Sequence, residues 1–299
     1  ALFIFLTGQV RAAGVLKMDD ATDRFLRTLT ELAVAHCLAS AEAAAAAAAN
    51  SGARQDAAGS GPLSFIATDA LVSLVAALVV QLNGGETLLN RYLALLVGLI
   101  KRDADEASVK FNARPYLRIW VGLMSELGVV PGSHAAAALA AAANADPSLG
   151  APPAAADPGA QMRYLRACGV ALHALQPLSV PGFAFGWLEL IAHRSFMPRV
   201  LTAQLASGWP LFASLLIALL RFLEPYLRAA DLSESIKQLY KGCLRLLLVL
   251  LHDFPEFLCE HHFSLCEAIP APAVQMRNLV LSAFPRNMRL PDPFTPNLK

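Results

Sequence analysis

The sequence predicts an all-α protein built as a HEAT-like helical repeat, an α-solenoid, in a single domain with disordered insertions. Apolar residues recur at helical spacing through nearly every ordered segment. Alternation of apolar and polar residues is never sustained, and no Asn-Gly or Asp-Gly pair joins two such runs. The apolar segments have helical length and are joined by short turns, as in stacked helix pairs, although no strict sequence repeat is visible.

Four amphipathic stripes occupy the first half of the chain. Their positions are Phe25, Leu26, Leu29, Leu32, Ala33 and His36; Leu71, Leu74, Val75, Leu78, Val79 and Leu82; Leu88, Tyr92, Leu95, Leu96 and Leu99; and the segment 116–127. Gly84 and Gly85 end the second stripe, because glycine favours the end of a helix. Pro115 and Gly128 bracket the fourth stripe, at its first turn and just past its end.

Five further helices are predicted in the second half, at 162–175, 183–196, 209–227, 235–251 and 275–284. Gly208, Trp209 and Pro210 begin the helix at 209–227, with Pro210 in its first turn. Asp253 stands before Phe254 and Pro255, so the chain turns there as the preceding long helix ends. We expect Trp187 and Trp209 to be packing anchors.

Two segments interrupt the helical pattern. Residues 50–62 are rich in Gly, Ser and Ala, and residues 133–160 combine an alanine tract with a stretch dense in Pro and Gly. Such compositions do not support a packed core, so both segments are predicted to be flexible loops. We place both within one domain spanning 1–299, because each flanking set of helices is too small to fold alone.

The composition limits the classes of function. The chain is 56% hydrophobic and 16% charged, with a net charge of +1, so no strong field directs it to nucleic acid or a membrane surface. A membrane span requires about 20 continuous apolar residues. The longest uncharged runs, 167–188 and 200–220, are interrupted by Pro177 and by Gly208-Trp209-Pro210. We therefore expect no membrane segment, and the opening ALFIFLTGQVR lacks the basic leader of a signal peptide.

The candidate chemical groups favour a protein without catalysis, metal or cofactor. Cys259, His261, His262 and Cys266 are ligand types for zinc, but they lack a second C-x-x-C or H-x-x-x-H unit, and Cys266 is expected beyond a helix break. Scattered cysteines among apolar neighbours suggest reduced core thiols in a cytosolic protein. His252-Asp253 has no partner set of a metal hydrolase, and no nucleophile elbow, Walker loop or dinucleotide fingerprint is present.

The last third of the chain resembles one family. The strings are PGFAFGWLELIAHRSFMPRVL (181–201), YKGCLRLLLVLLHDFPEFLCEHH (240–262) and LVLSAFPRNMRLPDPFTPNLK (279–299). They are similar, almost residue for residue, to the C-terminal homology domain of the Not-one subunit, the scaffold of the CCR–NOT messenger-RNA deadenylase complex. Weaker similarity extends to 14–27, 88–100 and 111–127. The poly-alanine stretch and the two predicted loops depart from the family.

The resemblance implies an all-α, HEAT-like docking platform for the Not-two and Not-three/five subunits, whose extended arms wrap its surface. It implies no catalytic activity of the domain itself, and a role in mRNA deadenylation, decay and translational repression. The family also offers grooves to short peptides of RNA-binding repressors. A cytoplasmic location, including P-bodies, and a nuclear one follow from the same resemblance.

The segment after Phe284 is the surface that we expect to contact partners. Four prolines, at 285, 291, 293 and 296, favour an extended path. Met288, Leu290 and Phe294 must then pack on the helical body or on a partner. Where the resemblance is strongest, the candidate partner-binding residues are Phe254, Pro255, Phe257, Arg286, Asn287, Arg289, Asp292 and Phe294.

A helical-repeat nucleic-acid-binding module is the alternative function. It requires a basic stripe along one face of the solenoid. Arg277, Arg286, Arg289 and Lys299 cluster late in the chain. They are opposed by four acidic residues, Glu256, Glu260, Glu267 and Asp292. No direct binding of nucleic acid is therefore expected.

Overall fold

The computed structural model describes residues 20–50, 63–81, 85–127, 158–203, 206–229, 232–288 and 294. Every regular element in these ranges is a helix, which confirms the all-α prediction. The α-helices are α1 (Asp20–Asn50), α2 (Ile66–Gln81), α3 (Gly85–Ala107), α4 (Arg114–Leu127), α5 (Pro158–Ala174), α6 (Ala184–Ile191), α7 (Met197–Leu201), α8 (Trp209–Ala229), α9 (Glu234–Asp253), α10 (Pro255–Ala268) and α11 (Val274–Leu281). Short 3₁₀-helices occupy Ser108–Lys110 and Pro181–Phe183.

The helices pack in two rows. Helices α2, α4, α6, α9 and α11 contact one another in that order, and α3, α5, α8 and α10 form the second row. Contacts between the rows join α2 to α3, α4 to α5, α8 to α9 and α10 to α11. Helix α1 packs across α2, α3 and α4 at one end. This stacking of helix pairs is the predicted HEAT-like repeat.

A single cluster of buried residues runs through the stack, from Leu26 in α1 to Val280 in α11. Large aromatic side chains fill its second half, and Trp187 is fully buried with its Nε1 donating to the Leu172 carbonyl at 2.7 Å. Trp209 is half-buried, and its Nε1 donates to the Leu201 carbonyl at 2.9 Å. Both indoles therefore act as packing anchors with satisfied polar groups, as predicted.

Helix α1 is longer than its apolar stripe suggests. It continues without a break through the alanine tract to Asn50, because alanine is the strongest helix former. Two residues of the predicted stripe, Leu32 and His36, lie on the exposed side of the helix, and Leu32 is 61% exposed. The predicted loop 50–62 lies outside the described residues apart from Asn50.

Three predicted boundaries differ from the structure, and two of them depend on proline. Helix α5 begins at Pro158, inside the loop predicted at 133–160, because proline fits the first helical position. Helix α11 ends at Leu281 instead of residue 284, because Pro285 disfavours helical backbone before it. Helix α6 ends at Ile191 instead of residue 196, and the following turn returns Phe196 to the core.

Helix α8 is long and apolar enough to cross a bilayer. It has 21 residues and a mean hydropathy of 1.5, but half of its most apolar stretch is buried among the neighbouring helices. A central helix of a helical stack has this composition for the same reason, since both of its sides face apolar neighbours.

Candidate partner-binding surfaces

The junction between α9 and α10 is a sharp turn at Phe254. Phe254 adopts φ −135° and ψ 51°, donates its backbone N–H to the Leu250 carbonyl at 2.9 Å, and is followed by Pro255 at the start of α10. A helix that ends in this way leaves its last carbonyl groups without donors from the same helix. The carbonyls of His252 and Asp253 are two of them, and they point to the C-terminal tail.

Arg286 supplies the missing donors. Its Nη2 lies 2.9 Å from the His252 carbonyl oxygen and 2.8 Å from that of Asp253. Its backbone N–H donates to Glu256 Oε1 at 3.2 Å. A guanidinium at a helix C-terminus also interacts favourably with the negative end of the helix dipole. Arg286 therefore attaches the tail to the helical body.

The other predicted contact residues divide between core and surface. Phe257 is fully buried, and its ring centroid lies 5.9 Å from that of Trp209, 5.6 Å from Phe212 and 4.9 Å from His261. Pro255 is also buried, and Phe254 is half-buried. Phe257 and Pro255 thus lack the exposure that a direct partner contact requires, and they hold α10 against the stack.

Asn287 is exposed, and Phe294 is 90% exposed. Arg289 and Asp292 lie outside the described residues. Leu281, Phe284 and Met288 are exposed as well, and together with Phe294 we call them the tail surface. The sequence predicts that the tail packs on the body or on a partner. Since the body leaves Leu281 and Met288 mostly exposed, their apolar side chains can contact a partner.

A groove lies between α6 and α9. Its volume is about 310 Å³, and apolar side chains line most of it, with Phe185, Leu188, Leu246 and Val249 among them. The two helices approach closely at Gly242, where a Cβ atom would lie 2.7 Å from Leu188 Cδ2. Glu189 and Arg245 also line the groove, so it carries one charge of each sign beside its apolar side chains.

The groups considered for zinc lie on one helix. Helix α10 continues through Cys266 to Ala268, so the predicted break before Cys266 is wrong. His262 Nδ1 lies 2.6 Å from the Cys259 carbonyl, and burial raises the pKa of the Cys259 thiol, which favours the protonated form. No group of three His, Cys, Asp or Glu side chains suited to a metal occurs in the part of the chain that the structure describes.

Burial shifts the pKa of two further thiols and of His193. Cys37, Cys168 and Cys243 are buried, and burial raises the pKa of Cys168 and of Cys243 to about 12. His193 lies beyond the end of α6, and its Nδ1 accepts the Ser195 backbone N–H at 3.2 Å. Burial lowers the His193 pKa, so the neutral acceptor form is the favoured one.

Two of the basic residues considered for nucleic acid are used inside the protein. Arg277 is half-buried and donates from Nη2 to the Cys266 carbonyl at 2.9 Å. Arg286 has its two carbonyl partners at the end of α9. Arg289 and Lys299 lie outside the described residues. A guanidinium held by backbone carbonyls is less available to phosphate, so these contacts count against a basic stripe.

Replacing Arg286 with methionine is expected to free the tail. The variant keeps a side chain of similar length but removes both bonds to the α9 carbonyls, so the free energy of unfolding should fall by about 1 kcal/mol. Amide hydrogen exchange should rise in residues 284–288 while the core stays protected. The control is Arg228→Met, which removes only an exposed i,i+4 pair with Glu224 and should change stability by less than about 0.5 kcal/mol. Unchanged exchange in the tail of Arg286→Met would contradict the attachment.

Comparison with known proteins agrees with this architecture. A family model described as "CCR4-Not complex component, Not1" matches residues 156–299. The CCR4-NOT transcription complex subunit let-711 of Caenorhabditis elegans is 39% identical over 247 residues, which cover 79% of this chain and 9% of that protein. The chain therefore spans about a tenth of the curated relative's length.

Two solved structures share the fold. One is the NOT1 superfamily homology domain from Chaetomium thermophilum, with a TM-score of 0.75 and 26% identity, covering 99% of this chain and 52% of that one. The other is a Not1 C-terminal domain in complex with Not4, with a TM-score of 0.71 and 26% identity, covering 98% of this chain and 52% of that one. The resemblance seen in the sequence is confirmed: residues 156–299 form a domain of the Not1 family, described as a CCR4-Not complex component.

Proposed function

We propose that residues 1–299 form one non-enzymatic scaffold domain that docks the Not-two and Not-three/five subunits of the CCR4-NOT complex. Through these subunits it supports mRNA deadenylation, mRNA decay and translational repression. The domain acts in the cytoplasm, including P-bodies, and in the nucleus, which imaging of the tagged protein would test. The proposal rests on the family membership and on the tail surface.

The tail surface is the observation that carries the proposal. Arg286 fixes the backbone of the tail to the end of α9, while Leu281, Phe284, Met288 and Phe294 stay exposed on either side of that anchor. A fixed backbone lowers the entropy cost of presenting apolar side chains to a partner. An extended arm of another subunit that follows the tail would bury these side chains and complete the apolar contact.

A Not4-like subunit and short peptides are further proposed partners. A solved relative of this chain is in complex with Not4, which supports a similar contact here. The α6–α9 groove has the size and apolar lining for a few side chains of a short peptide, such as those of RNA-binding repressors. Neither partner requires catalysis by the domain.

The test is co-elution of the purified domain with the Not-two and Not-three/five pair from the same organism, at about 0.3 M salt to suppress weak charge contacts. The wild-type domain should co-elute. The variant Leu281→Asp/Met288→Asp should lose the pair and remain folded, because both side chains are already exposed. The control is Ile66→Asp, which places the same charge on an exposed apolar residue of α2 and should still bind.

Each outcome has a distinct meaning. A folded wild-type domain that does not co-elute would refute docking of these subunits. If the Leu281→Asp/Met288→Asp variant still co-eluted with the subunit pair, the tail surface would be refuted as the contact, while docking of the pair would still hold. Salt-dependent binding of RNA by the domain alone would instead favour the nucleic-acid-binding module.

A further inference from the structure

A second groove lies near the opposite end of the stack. It is bounded by α1, the last turns of α3, the 3₁₀-helix Ser108–Lys110 and the start of α4, and its volume is about 460 Å³. Its apolar lining includes Val34, Leu38, Ala41, Ala45, Ala107 and Phe111. We call it the acidic groove, for the carboxylates on its rim.

The floor of the acidic groove follows one face of α1. Val34, Leu38, Ala41 and Ala45 are spaced i, i+4, i+7 and i+11, the spacing that places residues along one side of a helix. At 1.5 Å per residue this floor is about 17 Å long, or three helical turns. Ala41 and Ala45 have the smallest apolar side chains, so the floor is shallow on the protein's side and leaves room for large side chains from a partner.

The rim carries unneutralised negative charge. Glu42 on α1 and Glu106 on α3 are exposed, and neither forms an ion pair or hydrogen bond within the described residues. Lys110 lines the groove beside them. Two carboxylates against one ammonium group leave the rim net negative, so a cationic partner is favoured.

A third carboxylate, on Asp103, is already neutralised and helps to fix the groove. Arg102 Nη2 lies 2.8 Å from Asp103 Oδ1, and the Tyr116 hydroxyl donates to the other oxygen. Arg102 Nη1 also reaches Glu31 Oε1 at 2.7 Å. This network ties α1, α3 and α4 together, so the groove is formed before a partner arrives.

We propose that the acidic groove binds a short amphipathic helix of a partner protein that carries lysine or arginine beside large apolar side chains. The apolar side chains enter over Ala41 and Ala45, and the basic side chains reach Glu42 and Glu106 on the two sides of the groove. This site is separate from the tail surface and requires neither the Not-two nor the Not-three/five subunit, so its test is independent of the proposed function.

The test uses two fluorescein-labelled synthetic helices of about 16 residues, long enough to follow the floor. Both have leucine at positions i, i+4, i+7 and i+11, and they differ only in lysine or glutamate on the polar face. Fluorescence anisotropy with the full chain should show binding of the lysine peptide at least tenfold tighter than that of the glutamate peptide. The preference should shrink between about 0.1 and 0.5 M salt, because added salt screens the exposed charges.

Three variants locate the site. Glu42→Lys/Glu106→Lys should weaken the binding of the lysine peptide at least tenfold, since it reverses both rim charges. Ala45→Phe should weaken the binding of both peptides, since it fills a half-buried position of the floor. Glu260→Lys/Glu267→Lys, the same charge change on exposed residues of α10, should bind as the wild type does. Equal affinity for the two peptides, no binding of the lysine peptide by the wild type, or equal weakening by both charge-reversed pairs would overturn the proposal.

Discussion

Replacing Phe257 with alanine is expected to lower the free energy of unfolding by about 3–5 kcal/mol. The side chain is fully buried between α10 and α8, where its ring contacts Trp209, Phe212 and His261. Its loss would remove the transfer free energy of the ring and leave a cavity among aromatic neighbours that cannot close it without moving α10. Urea unfolding followed by far-ultraviolet circular dichroism would measure the change.

Phe263 is the matched control on the same helix. It lies six residues after Phe257, on a different side of α10, and is 76% exposed. Phe263→Ala should change the free energy of unfolding by less than about 0.5 kcal/mol, because little apolar surface is uncovered. If Phe257→Ala kept normal stability and lost only partner binding, the buried position would be refuted and the sequence interpretation of Phe257 as a contact residue would be correct.

Phe257 also shows which features of the site can be predicted from the sequence and which cannot. The resemblance identifies the family and the segment that matters, but a string shared by relatives is equally compatible with a residue of the core and with one of an interface. The helical pattern of α10 does not decide between them, because Phe257 and Phe263 put an aromatic ring on two sides of the helix. Only the packing of α10 against α8, a contact between distant segments, determines which ring is buried.

The hydrogen-bond partners of the tail are also not predictable from the sequence. Acidic side chains and phosphates are the usual partners of a guanidinium. The structure instead places Arg286 Nη2 on the carbonyls of His252 and Asp253. The sequence does not show which backbone carbonyls lack a donor at a helix end. This contact could therefore be predicted only after the end of α9 and the path of the tail were known.

The fold could be predicted from the sequence because it depends on local patterns. Helical spacing of apolar residues, and proline or glycine at helix ends, are read within one segment. Two of the boundary errors concern local proline signals at Pro158 and Pro285, and the third falls where a turn depends on distant packing. Helix α6 stops at Ile191 because Phe196 is buried in the core five residues later, and nothing within 183–196 marks that stop.

Replacing Gly208 with alanine is expected to lower the free energy of unfolding by about 3 kcal/mol. Gly208 precedes α8 and its carbonyl accepts the first helical hydrogen bond, from Phe212, at 3.0 Å. A Cβ atom at this position would lie 2.1 Å from the Val200 carbonyl oxygen and 2.7 Å from Val200 Cγ1. The obstructing atom belongs to the backbone of α7, so no side-chain rotation relieves the clash, and α7 and α8 must separate.

Gly98 provides a control of opposite sign. It lies in the interior of α3, it is exposed, and a Cβ atom there would meet nothing within 4 Å. Gly98→Ala should therefore raise the free energy of unfolding by about 0.5–1 kcal/mol, because alanine loses less backbone entropy on forming a helix. Both variants add one methyl group to a glycine, so urea unfolding of the pair separates close packing at the α7–α8 turn from a general effect of the substitution. Equal effects of the two substitutions would show that the approach of Gly208 to Val200 does not hold in solution.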